Sequence, residues 1–239
     1  MEAAVLNTYE DLAKMIDHSL LRPELTEAEV VEGCRLAVCY GVATVCLRPA
    51  DLDLARPIVE GTGVLLSTVI GFPHGGATTE TKVFEARDAI ARGARELDMV
   101  LNIGRLRSRD FSYVEREIRL VADESHRHGV ILKVIFENAY LTDELKIEAC
   151  KICERAGADF VKTSTGFAPT GAIAEDLRLM RASTGPKMRV KAAGGIRTLE
   201  RAIEAHELGC SRIGATATAK ILDEWKARLA ATETVSAKG

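Results

Sequence analysis

Two lysines stand inside short apolar segments that have the composition of buried strands. Lys162 lies in "ADFVKTSTGF" and Lys191 lies in "MRVKAAGGIR". Moving an isolated ammonium group out of water costs so much free energy that a buried lysine usually has a lowered pKa and gives up its charge. A neutral lysine amine is a nucleophile that condenses with a carbonyl group to form a Schiff base. The two lysines are therefore candidates for covalent chemistry.

Other ionisable residues lie in neighbouring strand-like segments. Side chains alternate along a strand, so "ELDMVLN" places Asp98 and Asn102 on one face, and "VILKVIFE" places Lys133 and Glu137 on one face. We expect these side chains to face one another inside the fold. A purely structural salt-bridge network is one explanation, but buried ion pairs add little stability relative to apolar packing. Three lysines against two carboxylates also leave a positive excess, which favours an anionic substrate or a neutral lysine.

The positions of the lysines do not identify the nucleophile. Two ammonium groups about 5 Å apart at an effective dielectric constant near 20 repel by roughly 3 kcal/mol, which corresponds to about 2 pKa units. A second lysine would therefore raise the fraction of free amine on the first by about two orders of magnitude near neutral pH. Lys133, Lys162 and Lys191 are all eligible on this argument.

Strand-like and helix-like segments alternate along the whole chain and must position these residues. Strands are predicted at 14–20, 42–47, 64–70, 97–103, 130–137, 159–165, 188–194 and 212–217. Helices are predicted at 7–14, ahead of the first strand, and at 26–41, 50–61, 78–94, 111–129, 142–158, 171–185, 198–210 and 218–231. Pro57 compromises the helix at 50–61.

Eight strand–helix units without a linker predict a single (β/α)8 barrel, or TIM barrel, as one domain over residues 1–239. An open parallel sheet is the alternative fold. No G-x-G-x-x-G follows the first strand, which argues against a dinucleotide-binding protein of that type. In a barrel, the active site lies at the C-terminal ends of the strands.

Glycine-rich and hydroxyl-rich segments follow the last three predicted strands, as "STGF", "AGGIR" and "GATA". Glycine lets the backbone approach a ligand closely, and exposed N–H groups beside a helix start form an anion site. The loops after strands seven and eight of such barrels commonly hold phosphate. The residues predicted to hold phosphate are Thr165, Gly166, Gly194, Gly195, Arg197, Gly214 and Thr216.

The composition excludes several classes of protein. Hydrophobic residues make up 47% of the chain, charged residues 28%, and the formal net charge is −3. We expect no nucleic-acid partner, which would require a basic surface, and no membrane span or secretion signal, so that the protein is cytosolic. Cys150 and Cys153 form a C-x-x-C in a helix-like segment, which indicates two thiols on one helix face, and no metal is expected.

The strand-end motifs together resemble a known family. "VKTSTGF", "VKAAGGIR", "LDMVLNIG" and "IGFPHGGATTETKVFEA" have the order and spacing of the deoxyribose-phosphate aldolases, and "IDHSLLRPELT" and "VATVCLRP" extend the resemblance over nearly the whole chain. The resemblance implies a (β/α)8 Schiff-base aldolase without metal or cofactor, often a homodimer. It implies reversible cleavage of 2-deoxy-D-ribose 5-phosphate to D-glyceraldehyde 3-phosphate and acetaldehyde. It further implies that Lys162 forms the Schiff base, Lys191 depresses its pKa and assists proton transfer, and Asp98 shuttles protons through water.

Some positions depart from the pattern of that family. Phe167 stands where some members have a lysine that helps to hold phosphate, and Ala217 stands where a serine or threonine is usual. Both changes concern phosphate affinity more than chemistry. Asn138 replaces a more usual threonine after Glu137. Cys46 either lines the pocket, as in relatives, or is a buried small apolar residue.

Two other functions are compatible with the same residues. The lysine could act on another phosphorylated hydroxy-aldehyde or on a ketose. Alternatively, the barrel could bind a sugar phosphate as a sensor or scaffold. Binding alone would not need Lys162, Lys191 and Asp98 together, which favours the enzyme.

Overall fold

Eight parallel strands, β1 to β8 in chain order, form the centre of the molecule. They are Ile16–Leu20, Thr44–Leu47, Leu65–Ile70, Glu96–Val100, Ile131–Ile135, Phe160–Lys162, Arg189–Ala193 and Arg212–Ala215. Each strand pairs with the next, and β8 pairs with β1, which closes the barrel. The structure is a computed structural model that describes residues 6–236. The predicted (β/α)8 barrel is confirmed, whereas the single domain over 1–239 stays a prediction because both chain ends lie outside the described residues.

Ten helices, α1 to α10, surround the barrel within residues 6–236. They are Tyr9–Ala13, Glu27–Cys39, Leu52–Val59, Thr79–Ala91, Ile103–Arg107, Phe111–His126, Asp143–Ala156, Ala174–Ala182, Leu199–Glu207 and Thr218–Ser236. Short 3-10 helices cover Pro49–Asp51 and Asn138–Tyr140. The extra helix expected ahead of the first strand is α1. The segment with Pro57 does form α3, which is only 8 residues long.

Threonine side chains begin several of these helices. The hydroxyls of Thr26, Thr78, Thr142 and Thr198 accept backbone N–H groups in the first turns of α2, α4, α7 and α9. Such caps satisfy donors that have no partner within the helix. At the other end of α7, Gly157 takes the left-handed conformation with φ 84° and ends the helix. Capping residues therefore set where the chain turns back towards the barrel.

Two strands end three residues before their predicted ends. β4 stops at Val100, because the side chain of Asn102 accepts the N–H of Arg105 at 3.1 Å and begins α5, which was not predicted. The expectation that Asn102 shares a strand face with Asp98 is therefore wrong. β6 is reduced to Phe160–Lys162, and the hydroxyl and glycine residues that follow it belong to a loop. Both differences lie at strand ends, where polar side chains bond to nearby backbone groups instead of continuing the ladder.

The apolar core lies between the barrel and the helices. Outward-facing strand residues such as Leu97, Met99, Val161 and Val190 are fully buried there. A separate small apolar group of Leu21, Cys46 and Val69, with Phe72 packed against it, lies apart from this core. All six cysteines are free thiols, and Cys150 and Cys153 are buried on α7 as expected. In the part of the chain that the structure describes, no helix has the length and apolar character needed to span a bilayer.

Candidate active site

A cavity of about 450 Å³ opens where β1, β6, β7 and β8 end. Its lining contains Lys162 and Lys191 and all the residues predicted to hold phosphate, which are Thr165, Gly166, Gly194, Gly195, Arg197, Gly214 and Thr216. Asp98 lies outside the lining and is fully buried. The structure thus brings together residues that are far apart in the chain, at the end of the barrel where chemistry was expected.

Lys162 is the last residue of β6 and is 3% exposed. Its Nζ donates to Asp98 Oδ2 at 2.6 Å. Burial lowers the pKa of Lys162, and the nearby ammonium of Lys191 lowers it further, while Asp98 opposes both effects. Desolvation therefore lowers the pKa of Lys162 more than the repulsion from Lys191 does. An amine that is both accessible from a cavity and easier to deprotonate than usual can attack a carbonyl carbon.

The other two lysines have more carboxylate partners. Lys191 donates to Asp17 and, at 2.7 Å, to Asp98. Lys133 contacts Glu96 at 2.5 Å and Asp98 at 2.8 Å. Burial alone would lower the pKa of both lysines, but these carboxylates outweigh it and raise it. Lys133 is also fully buried and outside the cavity lining. Among the three eligible lysines, only Lys162 combines access with a lowered pKa.

Asp98 connects the three lysines. Its Oδ1 accepts from Lys133, and its Oδ2 accepts from both Lys162 and Lys191. Although burial alone would raise the pKa of this carboxyl, the three ammonium groups hold it well below the usual range. Asp98 is therefore ionised and in direct hydrogen-bond contact with Lys162.

Three charged residues of this network were not recognised in the sequence. Asp17 of β1 accepts from Thr44 at 2.8 Å and from Lys191, and Arg212 bridges Asp17 and Glu96. We call the full set the interior cluster; its members are Asp17, Glu96, Asp98, Lys133, Lys162, Lys191 and Arg212. The predicted balance of three lysines against two carboxylates was therefore incomplete. An acidic residue inside the first strand-like segment was the signal that could have identified Asp17.

Glu137 lies beyond the end of β5, so the expectation that it shares a strand face with Lys133 is wrong. Its backbone has φ 56° and ψ 66°, a left-handed conformation that is rare for a residue with a side chain. The carboxylate accepts the N–H of Thr165 at 3.3 Å and also its hydroxyl. Burial raises the pKa of Glu137. Glu137 therefore bonds to the loop after β6, while the charge of Lys162 partly offsets the effect of burial on its pKa.

The departure at Asn138 lies in a buried polar contact. Its side-chain amide donates to Asp176 Oδ2 at 3.1 Å, and the residue is 3% exposed. Asp176 also accepts from Lys146 at 2.6 Å. This contact joins the segment after β5 to α7 and α8, outside the cavity lining.

The loops after β6, β7 and β8 offer unbonded amide groups to the cavity. Gly166, Gly194 and Gly195 have φ values of 90°, 83° and 84°, which favour glycine. Within residues 6–236, the N–H groups of Gly166, Gly195 and Thr216 have no hydrogen-bond acceptor. Arg197 lines the same side, as does Arg22, which was not predicted. Free amides and two guanidinium groups suit a phosphate group.

An apolar wall bounds another part of the cavity. Phe167 is 48% exposed and meets Phe72 edge to face, with ring centroids 5.5 Å apart. Cys46 is 2% exposed and lines the cavity with Leu21. Burial raises the pKa of the Cys46 thiol, so it is a neutral, weakly polar part of the wall. Both interpretations of Cys46 hold, since it lines the cavity and is also buried in the small apolar group with Leu21 and Val69.

Comparison with known proteins identifies the same group of enzymes. The model of the DeoC/LacD family aldolases matches residues 12–219. A deoxyribose-phosphate aldolase from Thermoanaerobacter sp. strain X514 is 51% identical over 216 residues, which cover 90% of this chain and 97% of the relative. One from Rhodopirellula baltica is 50% identical over 92% of each chain.

A solved structure agrees with these relatives. The tetrameric deoxyribose phosphate aldolase from Aeropyrum pernix superposes with a TM-score of 0.86 at 36% identity, over 92% of this chain and 93% of that one. Both the sequence matches and this superposition extend over nearly the whole barrel. The chain therefore belongs to the DeoC/LacD family aldolases and, among them, to the deoxyribose-phosphate aldolases.

Proposed function

We propose that this protein reversibly cleaves 2-deoxy-D-ribose 5-phosphate to D-glyceraldehyde 3-phosphate and acetaldehyde, as a step in the breakdown of deoxyribose. The observation that carries the proposal is the lowered pKa of Lys162 at a cavity whose other side presents free amides and guanidinium groups. The names of relatives that are about half identical support the same substrate.

Lys162 forms the covalent bond to the substrate. Its free amine attacks the C1 aldehyde of the open-chain sugar, and loss of water from the resulting carbinolamine gives an imine. Protonation of the imine nitrogen makes it an electron sink. The C2–C3 bond then breaks as the C3 hydroxyl loses its proton, so that D-glyceraldehyde 3-phosphate leaves and an enamine remains on Lys162.

Asp98 and Lys191 transfer protons during the reaction. The ionised Asp98 accepts hydrogen bonds from both lysines through one oxygen, so it can relay a proton between them. Lys191, whose pKa is raised by carboxylates, is the protonated member of the pair. A proton delivered to C2 of the enamine gives the imine of acetaldehyde, and addition of water releases acetaldehyde and restores Lys162.

The loops after β6, β7 and β8 hold the phosphate. The residues in this role are Thr165, Gly166, Gly194, Gly195, Arg197, Gly214 and Thr216. With the phosphate fixed on that side, the aldehyde end of the sugar extends towards Lys162. Binding energy from a part of the substrate that does not react thus orients the part that does. The reaction proposed here uses no metal or cofactor, since the protonated imine formed by Lys162 is the electron sink.

The oligomeric state and the cellular compartment of the enzyme are part of the same proposal. The enzyme works as a homodimer in the cytoplasm, although the Aeropyrum relative is tetrameric. Light scattering of the purified protein would measure the mass of the assembly. A monomer or a tetramer would contradict the dimer without affecting the chemistry.

Trapping of the imine tests the reaction. The protein is incubated with acetaldehyde and borohydride, digested, and mapped by mass spectrometry. We expect an ethyl group on Lys162 and none on Lys82, a fully buried lysine that does not line the cavity and serves as the matched control. An adduct on Lys133 or Lys191 instead would reassign the nucleophile. A stable adduct with dihydroxyacetone phosphate but not with acetaldehyde would contradict the substrate.

A further inference from the structure

Arg212 completes the interior cluster without lining the cavity. It is the first residue of β8 and is 9% exposed. Its guanidinium donates to Asp17 Oδ1 at 2.6 Å and to the two oxygens of Glu96 at 2.8 and 3.1 Å. Glu96 also contacts Lys133 at 2.5 Å. The reaction proposed above assigns no role to Arg212 or Glu96.

The interior cluster contains more cations than carboxylates. Its cations are Lys133, Lys162, Lys191 and Arg212, and its carboxylates are Asp17, Glu96 and Asp98. When every group is ionised, one positive charge is left unbalanced inside the barrel. Because an unbalanced buried charge is costly, this cluster releases a proton more easily than a neutral one would.

Lys162 is the group that releases the proton. Within the described chain its ammonium forms an ion pair with Asp98 alone, whereas Lys191 pairs with Asp17 and Asp98. The guanidinium of Arg212 keeps its charge at any working pH, since Asp17 and Glu96 raise its pKa although burial opposes them. Arg212 is therefore a permanent positive charge. Of the amines in the interior cluster, Lys162 loses its proton most easily.

Arg212 is close enough for its positive charge to lower the pKa of Lys162 by electrostatic repulsion. Lys162 is in register with Lys191 across β6 and β7, and Lys191 is in register with Arg212 across β7 and β8. Since adjacent strands are about 4.8 Å apart, the Cα atoms of the two outer residues are separated by roughly 10 Å, and we take this as the scale of the distance between their charges. At an effective dielectric constant near 20, a unit charge at that distance moves a titration curve by about one pH unit.

The charged and titratable groups of the interior cluster and its surroundings come from seven elements. They are Asp17 of β1, Cys46 of β2, Glu96 and Asp98 of β4, Lys133 of β5, Glu137 after β5, Lys191 of β7 and Arg212 of β8. Arg212 is the cation of the interior cluster that does not lose its proton. It therefore adds a constant positive charge that lowers the pKa of the lysine amines.

We propose that Arg212 is a positioning residue for the reaction, because it supplies the positive charge that the three carboxylates leave unbalanced and so keeps Lys162 in its free-amine form near neutral pH. The proposal rests on the proposed function, in which Lys162 forms the Schiff base. It makes the charge count of the whole cluster, and not only the neighbouring Lys191, responsible for the reactivity of Lys162.

The test measures how much Lys162 is trapped by acetaldehyde and borohydride at short times as a function of pH. Arg212→Met removes the unbalanced charge, so we expect the curve to move up by about one pH unit and trapping near pH 7 to fall about tenfold. Arg212→Lys keeps the charge and should stay close to the parent curve. The matched double variant Arg212→Met/Glu96→Gln restores one unbalanced positive charge and should return the curve towards that of the parent.

Each outcome decides the proposal. A curve for folded Arg212→Met that coincides with the parent curve overturns it, as does a double variant that stays as far displaced as Arg212→Met. If Arg212→Met fails to fold, Glu96→Gln alone carries the test, since one more unbalanced charge should move the curve to lower pH, and an unmoved curve overturns the proposal. Absence of any Lys162 adduct in the parent protein would instead contradict the proposed function.

Discussion

Lys82 and Lys162 are both buried lysines whose pKa is lowered first of all by desolvation, but their surroundings differ. Lys82 on α4 pairs with Glu117 at 2.9 Å and donates to the carbonyl oxygens of Gly75 and Val100, each at 2.8 Å. Its ammonium thus has a carboxylate and two carbonyl oxygens as acceptors, and it does not line the active-site cavity. Lys162 has one carboxylate partner and opens onto the cavity.

The carboxylate partner of Lys82 also has a structural role that Asp98 does not share. Glu117 also accepts the N–H of Asn102 at 3.0 Å, so the Lys82 pair fastens the loop after β3 and the start of α5 to α4 and α6. Glu117 is itself fully buried, and burial raises its pKa. Burial of a lysine is therefore not sufficient for nucleophilic chemistry. An unbalanced charge and access for a carbonyl compound are needed as well.

The largest expected effect is that of Lys162→Leu on turnover. Without the amine no imine forms, so cleavage of 2-deoxy-D-ribose 5-phosphate should fall by about four orders of magnitude or more. Stability should change little, because Asp98 keeps Lys133 and Lys191 as partners. Turnover assays and urea unfolding measure the two effects. Substantial remaining turnover with an adduct on another lysine would erase the distinction between Lys162 and the rest of the cluster.

The reverse pattern is expected for Lys82→Met. Glu117 would be left as an unpaired buried carboxylate, which should cost about 3–5 kcal/mol of the free energy of unfolding. The folded fraction should still form the acetaldehyde adduct on Lys162. Urea unfolding followed by intrinsic fluorescence gives the stability, and Glu117→Gln in the same background should recover part of the loss. A variant as stable as the parent would show that this pair does not hold the loops.

A smaller effect is expected when the cation next to Lys162 is removed. Lys191→Leu takes away a positive charge about 5 Å from the amine, so trapping of Lys162 should require a pH higher by about 2 units and fall about a hundredfold near neutral pH. The sign follows from the lowered pKa of Lys162, which rises when the repulsion disappears. The pH dependence of adduct formation measures this effect. It should exceed that of the more distant Arg212→Met, and the opposite ranking would contradict an effect that decreases with distance.

The smallest effect is expected on the phosphate side of the cavity. Thr216→Ala removes one hydroxyl from a loop that also offers backbone amides, so KM for 2-deoxy-D-ribose 5-phosphate should rise by roughly two- to tenfold, which corresponds to one hydrogen bond. The value of kcat should change little, because the loop does not touch the reacting carbons. Initial rates with 2-deoxy-D-ribose as the unphosphorylated control should be unaffected, and an equal loss on both sugars would place Thr216 elsewhere.

Some features of the site could be predicted from the sequence and others could not. The glycine and hydroxyl residues after the last three strands were correctly expected at one end of the barrel, because parallel strands in a closed sheet must all end on the same side. The burial of Lys82, in contrast, could not be predicted from the sequence. It lies in "TTETKVFEA", a helical segment in which a lysine is normally exposed, and only the packing of α4 against α6 buries it with Glu117.

Glu137 illustrates the same limit at a strand end. Strand periodicity put it on the face of Lys133, but the backbone leaves the strand before Glu137 and turns into the left-handed region. The carboxylate then contacts Thr165 in the next loop, a partner 28 residues away in the chain. A period-two pattern holds only while the ladder continues, and tertiary contacts decide where it stops.

The sequence by itself determined the alternation of strands and helices, favoured a closed barrel over an open sheet, and identified the three lysines and Asp98. Closure of the barrel and the part taken by Asp17, Glu96 and Arg212 were recognised only in the structure. Only the tertiary structure decided which lysine combines access from the cavity with a lowered pKa. The pKa of an amine depends on the charges within a few ångströms and on its access to water. For Lys162 those charges come from residues as far away in the chain as Asp98, which is separated from it by 64 positions. Closure of the barrel brings them together, and with them the unbalanced charge that favours a free amine.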